Sequence, residues 1–267
     1  MRLRAITTVL LIGYAALTAY IILRYLFGSD VPSFFTPLLT LLAFVFAVLH
    51  AGQTMGWGRS ILLLALTFTV SLAFESVGVA TGLVYGPYHY TDLLGPKFLG
   101  LVPYLIPLAW FMMAYPAFTI ASRLIPSNWR LWPWRLGVAA LGGVVMTAWD
   151  VAMDPLMVAA GHWVWEVKGA YFGVPLQNYW GWWLTIFASF FLFIWLGGLR
   201  PPQEVRRPTG FEQLAVYSYL TTGLGSVLLG LEHNLGGAAL AGLFAMLPWM
   251  LLGLQAQGQV GLEKIEA

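Results

Sequence analysis

Along this chain, apolar residues run on for about twenty positions at a time instead of alternating with polar ones. Such runs recur at 5–27, 37–53, 60–83, 101–124, 135–160, 180–199, 211–230 and 235–254. Each approximates the 20 or so residues an α-helix needs to cross a hydrocarbon core about 30 Å thick. No water there can bond a free N–H or C=O, so a spanning segment pairs its backbone within a helix or closes into a barrel. Barrel strands would read apolar and polar by turns, and the unbroken run at 102–124 does not. The pattern therefore predicts an all-α, polytopic transmembrane helical bundle of about eight spans. Only Leu231, Glu232, His233 and Asn234 part the last two runs, so a count of seven also fits. With no internal repeat, low-complexity tract or linker, 1–267 is expected to form a single integral membrane domain. The first run follows Arg2 and Arg4, is too long for a signal peptide and lacks a cleavage pattern, so it is expected to be retained.

Composition agrees with this pattern. Hydrophobic residues make up 60% of the chain and charged residues 9%, against roughly 25% charged in soluble domains. A net charge of +2 argues against nucleic-acid binding. With no cysteine, thiolate metal sites and cysteine nucleophiles are excluded. Basic residues fix an expected orientation. Arg2, Arg4, Arg59, Arg123, Arg130, Arg135, Arg200, Arg206, Arg207 and Lys264 fall on one side of eight spans, and Arg24, Lys97 and Lys168 on the other. Both termini are thus expected in the cytoplasm of a plasma-membrane protein. The two long connections on the opposite side, 84–100 and 161–179, are rich in Gly, Pro and aromatic residues. They are expected to fold back into the protein at membrane depth, or to form an aromatic belt with Trp180, Trp182 and Trp183.

Most acidic residues sit in loops or tails, and three do not: Glu75, Asp150 and Asp154. A carboxylate within a span costs several kcal/mol and usually faces a partner or a cavity. Glu75 lies sixteen residues beyond Arg59 and Asp150 fifteen beyond Arg135. At 1.5 Å per residue both reach roughly 23 Å from the cytoplasmic edge, so they can meet. Asp150 and Asp154 share a helix face if the helix persists between them. Pro155 is expected to end or kink it there. Two neighbouring buried carboxyls do not both ionise cheaply, so one of them is expected to carry a proton and serve as a general acid. The bland alternative is that these groups cap broken helices. His50, His89, His162 and His233 are too scattered for a di-iron site. His89, within YGPYHY, is the histidine expected near a site, as a hydrogen-bonding support. Lys97, Lys168 and Lys264 all lie outside the spans, which excludes a retinal Schiff base in the helix core.

The stretches ESVGVATGLVYGPYHY and LGPKFLGLVPYLIPLAW resemble the first signature of the integral-membrane carotenoid-biosynthesis proteins. DVAMDPLMVAAGHWVWEVKGAYFGVPLQNYWGWW resembles the second. The likeness spans roughly 72–183, nearly half the chain. It implies a carotenoid 1,2-hydratase of the bisanhydrobacterioruberin or γ-carotene type, adding water across a terminal C-1,C-2 double bond to give a tertiary alcohol. From the first motif it carries over Glu75, Thr81, Gly82, Gly86, Tyr88 and Tyr90. From the second come Asp150, Asp154, Pro155, Trp163, Trp165, Gly169, Tyr171, Phe172, Gly173, Pro175 and Asn178. Some members have Phe where this chain has Tyr85. The implied substrate is an acyclic end group of lycopene, γ-carotene or a bisanhydrobacterioruberin-like polyene, with other membrane enzymes of the pathway as possible neighbours.

Such a hydration requires no cofactor or metal. It requires a proton donor, here the Asp150/Asp154 pair without a choice between them, and aromatic faces for the cation. Trp149, Trp163, Trp165, Tyr171 and Tyr90 are the ring candidates, with Tyr88 from the first motif. Glu75 is expected to hold and deprotonate the attacking water, with Asn178 and His89 positioning it. A polyene as long as the bilayer is thick would reach the site laterally from lipid, and small residues of the later helices (Gly223, Gly225, Gly230, Gly236, Gly237, Gly242) would allow close packing or a lipid-facing gap. Two rivals remain. A proton-coupled transporter also uses intramembrane carboxylates but usually shows matched halves, and a lycopene-type cyclase would use the same acid and quench the cation internally. A prenyltransferase is disfavoured because no DDxxD-like run is present to hold Mg²⁺.

Overall fold

The computed structural model describes residues 2–29, 31–32, 34–256 and 258–259. Within them lie eight helices, each long and apolar enough to cross a membrane: α1 (Arg2–Leu26), α2 (Phe35–Thr54), α3 (Trp57–Thr81), α4 (Leu105–Leu124), α5 (Leu131–Ala159), α6 (Leu176–Leu196), α7 (Leu214–Glu232) and α8 (Gly236–Gln255). The protein is a multi-pass membrane protein. Eight is the count among the described residues, because the chain turns between α7 and α8 at Asn234, with φ +59°. Asn tolerates that left-handed geometry better than most residues.

Helix α4 is the most buried span, and α2, α3, α5, α7 and α8 pack around it. Helix α1 closes the ring between α2 and α7, and α6 closes it between α3 and α5. Small residues serve packing here. A Cβ on Gly242 of α8 would stand 2.4 Å from the Ala152 Cβ of α5, and one on Gly223 would strike Met246 and Met250.

Two expectations about helix ends need correction. The fourth span starts at Leu105 and not near 101, because the preceding residues form a small hairpin of two strands, Lys97–Phe98 and Val102–Pro103. More consequentially, α5 does not stop at Asp154. It runs through Pro155 to Ala159. Proline removes the N–H that would bond the carbonyl four residues earlier. The freed Val151 carbonyl instead accepts the Tyr171 hydroxyl at 3.1 Å. With that acceptor satisfied, the helix continues and Asp150 and Asp154 remain on one face.

The bundle end bearing most of the arginines is tied together by polar contacts. Arg123 donates to the Gln213 side chain at 2.9 Å and to the Glu212 carbonyl at 2.8 Å. Arg206 pairs with Glu212 at 2.6 Å. The fully buried His50 bonds the Tyr115 hydroxyl at 2.6 Å and the Phe211 carbonyl at 2.7 Å. It is a structural support at that end. Lys264, which entered the predicted charge bias, lies outside the described residues.

Candidate active site

At the other end, the two long connections fold back onto the bundle. In the first, Tyr88–Tyr90 forms a strand that pairs antiparallel with Trp163–Trp165 of the second. Tyr88 faces Trp165 across the ribbon and Tyr90 faces Trp163. Side chains alternate along a strand, so Tyr88 and Tyr90 turn inward, 5% and 6% exposed, while His89 between them points out. The ribbon is fastened by Lys97 Nζ, which donates to the Tyr90 carbonyl at 2.7 Å and to Asp92 at 2.8 Å. Thr91 adds a bond from its hydroxyl to the Gly161 carbonyl at 2.8 Å.

The inward face of the ribbon roofs a cavity of about 100 Å³. Glu75 of α3 and Asp154 of α5 both line it, each at most 3% exposed. The rest of the lining is mostly aromatic or apolar, including Trp110, Trp149, Trp182, Ile106, Met112 and Met153, with Thr36, Thr40 and Asn178 as polar members. Trp110 and Trp182 stack with ring centres 4.1 Å apart, and Trp149 meets Trp182 edge-on at 5.9 Å.

Both lining carboxylates are met by donors. Glu75 Oε2 accepts the hydroxyls of Tyr88 and Tyr90, the latter at 2.9 Å, and Oε1 accepts Trp110 Nε1–H at 3.0 Å. Asp154 Oδ1 accepts Trp163 Nε1–H at 2.9 Å and Trp165 Nε1–H at 3.3 Å. Its Oδ2 accepts from Asn178 Nδ2 at 2.7 Å. The same amide nitrogen donates to Asp150 Oδ2 at 2.8 Å. Asp150 is fully buried and does not line the cavity, lying behind Asn178.

The family model for carotenoid biosynthesis proteins matches residues 35–248. The chain belongs to that family. A curated relative, the bisanhydrobacterioruberin hydratase of Haloarcula japonica, is 37% identical over 131 residues, which is 49% of this chain and 43% of the relative. In that comparison the chain spans less than half the relative's length. No solved structure matches.

In this family member the structure gathers Glu75, Asp154, Asn178, Tyr88, Tyr90, Trp149, Trp163 and Trp165 around one cavity. Three of the residues singled out from the sequence do not line it, Asp150 as described above and two others. His89 is on the outer side of the ribbon, 3.4 Å from Glu166, and cannot orient a water in the cavity. Tyr171 does not line the cavity, because its hydroxyl is spent on Val151. The sequence pattern does not single out Trp110, and for Trp182 it leaves an interfacial belt as one of two alternatives. A tryptophan in the middle of an apolar span needs an acceptor for its indole N–H, and that was the available signal for Trp110.

Proposed function

We propose that this protein is a carotenoid 1,2-hydratase that adds water across the terminal double bond of an acyclic end group without a cofactor. The observation that carries this reading is two sequestered carboxylates, Glu75 and Asp154, lining one cavity whose remaining walls are mostly aromatic and apolar. The 37% identity to a protein named as a hydratase supports it. The family match supports a carotenoid as the substrate class.

The chemistry is an acid-initiated addition. The Asp150/Asp154 pair supplies a proton to C-2, the C-1,C-2 π bond supplies the electrons for the new C–H bond, and a tertiary cation is left at C-1. Trp149, Trp163, Trp165 and Tyr90 put ring faces and edges around the space where that cation forms. A desolvated cation–π contact contributes about 2 kcal/mol. A water then attacks C-1 and yields its proton to Glu75, giving the tertiary alcohol. The proton gained by Glu75 balances the one lost by the pair, and its return through the cavity resets the site. Tyr88, Tyr90 and Trp110 hold the Glu75 carboxylate in place for this, as positioned donors rather than mobile solvent. We place both termini in the cytoplasm of the plasma membrane, on the weight of the basic residues at that end, so water reaches the cavity from the far side.

Expression in cells that accumulate lycopene, followed by mass analysis of the pigments, tests the proposal. A gain of one water per modified end group is expected, with labelled oxygen entering from H₂O. Ring closure without a mass change would mean cyclisation, and unchanged pigment or label from O₂ would overturn the reading.

A further inference from the structure

The two aspartates are not equivalent, and the difference divides the acid's work between them. An ionised carboxylate offers about four lone-pair positions, two on each oxygen. On Asp154, three are taken by groups that can only donate: Trp163 and Trp165 both reach Oδ1, and Asn178 reaches Oδ2. Oδ1 is therefore full, and one place is left on Oδ2. Asp150 presents a different picture. Its Oδ2 accepts from Asn178, while among the described residues nothing donates to Oδ1, although that atom is sealed from solvent. Asp154 lines the cavity and Asp150 does not.

Resting on the hydratase reading, we propose that Asp154 alone delivers the proton to the polyene, from Oδ2, and that Asp150 is a positioning residue acting through Asn178. In the step itself the Oδ2–H bond breaks, the new C-2–H bond forms from the alkene π electrons, and the negative charge stays on Asp154. Three N–H donors already point at that carboxylate, which is where charge develops in the transition state. Asp150 holds one hydrogen of the Asn178 amide so that the other meets Asp154 Oδ2. This fixes which direction on that oxygen remains open toward the cavity. It also keeps a second acidic group within one helical turn of the donor, so the two share a titration.

The test uses the full-length protein in membranes or detergent, with lycopene as the probe and wild type run in parallel. Pigment binding, read from the carotenoid absorbance, confirms that each variant is folded. Asp154→Asn is expected to bind pigment and lose turnover by at least about a hundredfold. Asp150→Asn is expected to keep its KM and retain measurable turnover, lowered by about tenfold, with a pH–rate profile displaced from that of wild type. A purely structural Asp150 would leave the profile where it was. Asn178→Leu is expected to resemble Asp150→Asn and not Asp154→Asn. Turnover persisting in Asp154→Asn overturns the assignment. So does its complete loss in a pigment-binding Asp150→Asn, or an unmoved profile there. A wild-type protein that yields no water adduct would instead sink the hydratase reading itself, which separates the two failures.

Discussion

Tyr171 shows how one hydroxyl can decide where a helix ends. Pro155 leaves the Val151 carbonyl without its helical donor, and the Tyr171 hydroxyl replaces it at 3.1 Å. Removing one partner of a fully buried hydrogen bond leaves the other unsatisfied, at a cost of about 1–3 kcal/mol, and this half-buried pair falls toward the lower end. Tyr171→Phe is therefore expected to lower thermal stability in detergent by that order, and to disturb Asp154 one residue before the proline. In a Pro155→Ala background the residue-155 N–H returns and can bond Val151, so the same Tyr171→Phe change is expected to be nearly neutral. Equal losses in both backgrounds, measured as a double-mutant cycle, would refute this role. Glu75, Asp150 and Asp154 were legible from composition alone, because charge inside an apolar run is costly. The job of Tyr171 was not, because it depends on a contact twenty residues away that no local pattern encodes.

The spans stood out at the scale of elements because each needs some twenty apolar residues in a row. The ribbon over the cavity was hidden because it consists of two three-residue strands brought together from connections about seventy residues apart. A strand that short carries too few residues for an alternation pattern to stand out. Its inward and outward faces, and so the exclusion of His89, became visible only with the pairing register. What keeps the second connection compact is Gly169, whose added Cβ would lie 1.9 Å from the Val174 carbonyl carbon. Gly173, at φ +87°, has nothing within 4 Å of such a Cβ. Gly169→Ala must push backbone aside, whereas Gly173→Ala meets only the left-handed backbone penalty of about 1–2 kcal/mol. Gly169→Ala is expected to lose more thermal stability and more pigment conversion than Gly173→Ala; the reverse order would contradict this account. At the opposite end, Glu212 anchors the segment leading into α7. Burial works against its charge, but Arg206 and the backbone N–H and hydroxyl of Thr209 overcome that and draw its carboxyl down to about 2. A carboxyl lowered on folding contributes stability that is present above its unfolded pKa and lost as pH falls. The deficit of Glu212→Gln relative to wild type is thus expected to be constant near neutrality. It should shrink between about pH 4.5 and 2, as read from unfolding midpoints across that range.

For the whole molecule, the question is how a rod about as long as the bilayer is thick, roughly 30 Å, presents only its tip to a cavity of about 100 Å³. Of the lining residues, Thr36 of α2, Leu105 and Ala109 of α4, Met157 of α5 and Trp165 of the ribbon are only partly buried. Four of these five come from the outer ends of α2, α4 and α5, so the mouth holding the rest of the polyene is expected there. Blocking that mouth should discriminate by length and leave the chemistry intact. Ala109→Trp and Thr36→Trp are expected to abolish conversion of a full-length carotenoid while a short acyclic isoprenoid alcohol, bearing the same terminal double bond, is still hydrated. Comparing the two substrates in the same preparation removes folding as an explanation, since a collapsed protein would process neither. If both substrates were lost together in a variant that keeps the thermal stability of wild type, or if the long one were converted as before, the polyene does not pass this way.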